Sequence, residues 1–84
     1  MRLSASSRFL RKAKKLHEPQ SSMLGAALRR FAVEPQDPLL RTHKLKGELE
    51  AYWAFSVDDD LRVPFRWQGD EAFLVHLGSP DEVY

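Results

Sequence analysis

The chain has 84 residues, enough for one domain and too few for two. It contains no cysteine, which excludes disulfides and thiolate metal centres, and no apolar run approaches the roughly 18–20 residues a membrane span needs. The formal charge of +1 hides a division: residues 1–46 carry +8 and residues 47–84 carry −7. A basic half of this kind suits a polyanion or an acidic partner segment, and equally suits solvated helix faces. The N-terminus Met1-Arg2-Leu3-Ser4 lacks the apolar stretch of a secretory signal, so we expect a soluble, cytoplasmic protein without membrane contact.

The short stretch before Ser4 reads as a brief strand. Pro19, Pro35 and Pro38 then divide the basic half, because proline disfavours helix at the residue before it and cannot donate in a helix interior. Residues 5–17 and 21–34 therefore read as two helices. Phe9, Ala13 and Leu16 form the inward stripe of the first, and Arg8, Arg11, Lys12, Lys14 and Lys15 lie largely outside it. Ser21 or Ser22 can cap the second, whose inward stripe is Leu24, Leu28 and Phe31. Residues 35–48 form a connector, and Leu39-Leu40 predicts that it docks on the core.

After Gly47 the apolar period becomes two. Leu49, Ala51, Trp53, Phe55 and Val57 alternate with Glu50, Tyr52, Ala54 and Ser56. Asp58-Asp59-Asp60 marks a turn, and Leu61, Val63, Phe65 and Trp67 alternate with Arg62, Pro64 and Arg66. After a second turn at Gln68-Gly69-Asp70-Glu71 come Phe73, Val75 and Leu77, alternating with Leu74 and His76. This predicts a three-stranded antiparallel meander whose odd-numbered positions face the helices. Helices first and strands afterwards give an α+β class: one domain, 1–84, with an N-terminal two-helix hairpin on one face of a small antiparallel sheet. Pro64 cannot donate to a ladder, so it belongs on an edge or at a bulge.

If the sheet carries chemistry, the even-numbered face is where we expect it. A three-residue turn at 58–60 places Ser56 opposite Arg62 and Tyr52 opposite Arg66, with His76 opposite Pro64. Arginine forks suit phosphate, and histidine suits proton transfer near neutral pH; an ordinary solvated sheet face has the same pattern. His17, His43 and His76 show no metal-ligand spacing. There is no glycine-rich phosphate loop and no Gly-x-Ser-x-Gly elbow. We assign His17 no function, and Asp58-Asp59-Asp60 reads as a solvated turn before it reads as a cation site.

Three segments carry a resemblance. They are Arg41-Thr42-His43-Lys44-Leu45-Lys46-Gly47, then Trp53 through Val63, then Leu77-Gly78-Ser79-Pro80-Asp81-Glu82-Val83-Tyr84. Together they resemble the RelE/ParE toxin superfamily, and within it the YafQ-like branch. The resemblance spans nearly the whole chain, and its specific part runs from His43 onward. It implies a toxin of a type II toxin–antitoxin system, a ribosome-dependent endoribonuclease that cuts mRNA in the decoding site. It also implies a cognate antitoxin partner and chemistry without metal or other cofactor: the 2′-hydroxyl attacks the adjacent phosphate and expels the 5′-oxygen.

By the same resemblance His43 is a candidate acid or base in a His-x-Leu-x-Gly motif. Asp60 is a candidate to orient a histidine or take a proton, Arg62 to clamp phosphate, and Tyr84 to stack on a base. Lys44 and Lys46, with Arg66 from the even face, would hold RNA backbone. Their ordinary roles are a loop hydrogen bonder (His43), a turn residue (Asp60) and a frayed terminus (Tyr84). Two family histidine slots hold Pro80 and Ser56 here, and His76 is the candidate replacement. Three functional expectations follow: an mRNA interferase, a catalytically weakened homologue that binds antitoxin and ribosome, and a ParE-like gyrase inhibitor.

Overall fold

The computed structural model describes residues 1–46 and 51–83. In chain order it contains β1 (Arg2–Ala5), α1 (Ser7–Lys14), α2 (Gln20–Val33), a 3-10 turn (Pro38–Leu40), β2 (His43–Lys44), β3 (Trp53–Asp58), β4 (Leu61–Gln68), β5 (Glu71–Leu74) and α3 (Pro80–Val83). The sheet order is β1-β5-β4-β3-β2, with β1 parallel to β5 and the other pairs antiparallel. The α+β reading holds. The expected meander is the centre of a larger mixed sheet, completed by two short edges: β1, whose partner β5 comes from the other end of the chain, and β2, which pairs with the next strand, β3.

Both helices bury their stripes on one side of the sheet. Phe9, Leu24, Ala27 and Phe31 pack on Phe55, Val63, Phe65 and Leu74, with Ala13, Leu16 and Leu28 at the margin. Phe31 stacks on Phe55 at 4.4 Å between centroids and meets Phe65 edge-on at 4.8 Å. Such pairs contribute about 0.5–1.5 kcal/mol beyond the area they bury. Of the connector leucines Leu40 is buried, while Leu39 stays exposed.

The helices differ from expectation at their ends. α1 begins later because Ala5 pairs with Leu74 in the sheet, and Ser6 then caps the helix, its Oγ accepting from the Phe9 N–H at 3.0 Å. α1 also ends earlier, leaving His17 in the connection, where its carbonyl accepts from the Ser21 N–H. No side chain of α2's own N-cap residue, Pro19, serves as a cap; the Glu18 carboxylate accepts from the Ser22 N–H at 2.7 Å and from the Ser22 hydroxyl.

Two irregularities set the faces of the sheet. Ser56 pairs with Arg62 but Asp58 with Leu61, so an extra residue sits at Val57. That bulge makes the two-residue turn Asp59-Asp60 equivalent to the expected three-residue turn, and Ser56 lies opposite Arg62 as predicted. The next connection is a true two-residue turn, Gly69-Asp70, with Gln68 paired to Glu71. Gly69 takes φ +64°, the left-handed conformation this turn requires. A two-residue turn pairs odd positions with even ones, so β5 is inverted relative to expectation. Ala72 and Leu74 face the helices, and Phe73 and Val75 face away.

A second bulge, opposite Pro64, restores the alternation. Val75 N–H donates to Pro64 O at 2.9 Å, whereas Arg62 exchanges both backbone bonds with Gly78 at 2.8 and 3.1 Å. From Pro64 to Arg62 is two residues; from Val75 to Gly78 is three. The ladder thus absorbs an extra residue where proline has no N–H to give. Leu77 returns to the core, and His76 turns to the face away from the helices.

Candidate functional site

Three rows of side chains cross the face away from the helices. The first runs from Tyr52 through Arg66 to Phe73. The Arg66 guanidinium carbon lies 5.8 Å from the Tyr52 ring centroid and 5.6 Å from that of Phe73, so the cation is held between two rings. Its Nε is buried without a hydrogen-bond partner.

The second row is His43, Ala54, Pro64 and the Val75–His76 bulge. His43 owes its place to Arg41, whose left-handed backbone (φ 52°) turns the chain into β2. His43 Nδ1 donates to Arg41 O at 2.8 Å, which in a neutral ring makes Nε2 the acceptor nitrogen. His76 stands three strands away. It is buried, only 7% exposed, and its Nδ1 has no hydrogen-bond partner. It lines a cavity of about 220 Å³ together with Arg8, Leu45, Tyr52, Pro64, Val75 and Glu82. Burial holds the His76 imidazole below its usual pKa, and the positive charges of Arg8 and Lys12 push the same way; the Glu82 carboxylate opposes them.

The third row is Ser56, Arg62 and Gly78. Arg62 is half-buried and directs its guanidinium toward the β3–β4 turn, donating to Asp58 O and, at 3.4 Å, to Leu61 O. Arg62 and His43 therefore share a face, and each is engaged locally; neither lines the His76 cavity.

Asp60 lies on that same turn and lines a different cavity of about 240 Å³ with Lys12, Gln20 and Glu82. No histidine is among its hydrogen-bond partners in the described residues; its own N–H donates to Asp58 Oδ1 at 2.8 Å. Lys44 is exposed on the edge strand opposite Trp53, and Lys46 is exposed just beyond it. Tyr84 lies outside the described residues. Pro80 opens α3 as the first helical residue, the one place where its missing N–H costs nothing. Ser79 and Glu82 bracket it: Ser79 N–H donates to Glu82 Oε1 at 3.0 Å, and Glu82 N–H donates to Ser79 Oγ at 3.3 Å. Lys12 adds an ion pair to Glu82 at 3.0 Å. The Ser79 N–H and Lys12 together lower the Glu82 pKa to about 2.

Sequence reasoning brought Tyr52, Arg62, Arg66 and His76 to one face. It did not find Arg8, Leu45 or Glu82 beside His76. The signal for Arg8 was weak: it adjoins the buried Phe9, but which strand lies beneath α1 depends on the parallel β1–β5 pairing. Among the described residues no group of three or more His, Asp or Glu is placed to hold a metal ion, and no helix is long and apolar enough to cross a membrane.

No family model and no curated protein matches the sequence. Solved structures do match. The chain is similar to a YoeB/ParE toxin from Agrobacterium tumefaciens, with a TM-score of 0.79 and 15% identity over 94% of this chain and 98% of that one. It is similar to YafQ from E. coli strain BL21(DE3), with a TM-score of 0.76 and 16% identity over 100% of this chain and 99% of that one. It also matches the E. coli DinJ-YafQ complex, with a TM-score of 0.73 and 15% identity over 100% and 99% of the two chains. The chain has the RelE/YafQ-like toxin fold.

Proposed function

We propose that this chain is the toxin of a type II toxin–antitoxin pair and that it cleaves ribosome-bound mRNA on the sheet face away from its helices. One observation carries the reading: a chain with the fold of these toxins holds a buried imidazole, His76, with Nδ1 unpartnered, at a cavity on that face that Arg8 also lines. An imidazole held below its usual pKa is neutral at physiological pH and ready to accept a proton.

In the proposed reaction the 2′-hydroxyl oxygen bonds to the adjacent phosphorus and the bond from phosphorus to the 5′-oxygen breaks. The 2′-hydroxyl proton passes to a base, and an acid protonates the departing 5′-oxygen. The products are a 2′,3′-cyclic phosphate and a 5′-hydroxyl. His76 and His43 are the proton-transfer candidates. Arg62 retains guanidinium donors for the phosphate beyond those spent on Asp58 O and Leu61 O. Asp60 and Tyr84 are auxiliary, for orientation and base stacking. Lys44, Lys46 and the ring-stacked Arg66 hold the RNA backbone. The partner is an antitoxin, and the setting is the cytoplasm. Parent protein incubated with translating ribosomes should yield fragments with those two ends, and Arg62→Ala should yield none. Intact mRNA in the parent reaction would count against the reading.

Pro80 favours a second reading. It fills a family histidine slot and offers no proton, so the chain could bind antitoxin and ribosome without cutting. Loss of a positioned acid or base costs about 10²–10⁴ in rate. On that reading Pro80→His creates toxicity on induced expression where the parent has none. A toxic parent, or a harmless revertant, removes it.

A further inference from the structure

We propose that Arg8 of α1 and His76 of the β4–β5 bulge together form a phosphate-binding subsite, so that the first helix contributes directly to substrate binding. The proposal rests on the RNA-cleaving reading only for the identity of the molecule that carries the phosphate.

Four observations lead to it. His76 Nδ1 is buried and lacks a hydrogen-bond partner, a condition a native structure normally relieves with a ligand or water. The cavity it lines, about 220 Å³, has room for a phosphate and part of a nucleotide. Arg8 lines the same cavity and is exposed, and among the described residues it has no acidic partner within ion-pair distance. The two residues are also held in register by a third. Ser6 N–H donates to Leu74 O at 2.9 Å, and Ser6 Oγ donates to Val75 O at 2.6 Å. The first turn of α1 is thereby fastened to the bulge that carries His76.

The charges around the cavity favour an anion. The groups facing His76 are Arg8 and Lys12 from α1, Glu82 from α3 and the Tyr52 phenol from beside β3. Lys12 and Glu82 neutralise each other at 3.0 Å, which leaves the Arg8 charge uncompensated. A guanidinium fork matches phosphate geometry, and the imidazole supplies a further donor once an anion draws a proton onto it. Tyr52 and Leu45, on the β2 side, form the wall against which a ribose or base would rest.

The test is a binding titration of the full chain followed by NMR of the His76 ring. The probe is a 2′-O-methylated RNA trinucleotide, which cannot be cleaved; inorganic phosphate serves in a parallel arm. Both probes should shift the His76 ring signals and raise its protonation midpoint, the trinucleotide at lower concentration. Arg8→Ala should weaken trinucleotide binding by about tenfold or more, and Arg8→Lys should recover part of it. Arg11→Ala, an exposed α1 residue outside the cavity, should bind like the parent. In the free protein Arg8→Ala should itself raise the His76 midpoint. Parent-like binding by Arg8→Ala, or shifts confined to exposed basic residues elsewhere, would overturn the subsite. Arg8-dependent binding without RNA cleavage by the parent would leave the subsite standing and remove the nuclease reading instead.

Discussion

His76 reaches the sheet face because Pro64, on the neighbouring strand, cannot donate a ladder hydrogen bond. The resulting bulge brings both Val75 and His76 opposite Pro64 and leaves the imidazole buried, with Nδ1 unpartnered. The burial has a consequence for stability. Folding lowers the His76 pKa below 6.5, so between the folded and unfolded values the unfolded chain binds more protons. This group's contribution is complete above pH 6.5 and is lost as pH falls through the folded-state value. Urea midpoints should therefore decline below pH 6.5, and His76→Gln should flatten that part of the profile; an unchanged slope in the variant would assign it to other groups. Glu82 acts in the same direction at lower pH, from 4.5 down toward about 2. At this scale the sequence was readable where a turn length alone sets the register. Counting three residues from 58 to 60 correctly placed Ser56 against Arg62, and Tyr52 beside Arg66. The same count failed for β5, because a two-residue turn inverts parity and no pattern of apolar residues distinguishes Ala72-Leu74 from Phe73-Val75.

The helices and central strands were legible as elements, since each has an apolar stripe of the right period: Phe9 and Ala13 in α1, continued by Leu16 just past its end, and Leu24, Leu28 and Phe31 in α2. The edge β1 was readable as a brief strand, but its parallel pairing with β5, from the other end of the chain, was not; β2, with 2 residues, carries too little pattern to be read at all. The junction between β1 and α1 is where local and distant structure meet. Ser6 caps α1 through its Oγ and donates the same hydroxyl to Val75 O. Ser6→Ala removes the cap and leaves that carbonyl without its donor. It should cost about 1–2 kcal/mol in urea unfolding. It should also disturb the signals of Arg8 and His76, which Ser6 joins. A loss below a few tenths of a kcal/mol, with the His76 signals unmoved, would show that α1 is fixed to the bulge by other contacts.

At the scale of the molecule, one sheet serves two purposes. Its helix-covered face holds the Phe31, Phe55 and Phe65 cluster that stabilises the domain. The other face is freed for His43, Arg62, Arg66 and His76, whose rows are fixed by backbone pairing rather than by loops. The charge division of the sequence fits this arrangement: α1 comes from the +8 half and His76 from the −7 half, and they meet at one cavity. In the proposed reaction His76 takes part in cutting RNA at this face. Its most direct test is the single-turnover rate of mRNA cleavage on ribosomes for the parent and His76→Ala, with folding of both checked by urea unfolding. The rate should fall by about 10²–10⁴ in the folded variant if His76 transfers a proton there. An equal rate would place the chemistry elsewhere and contradict it.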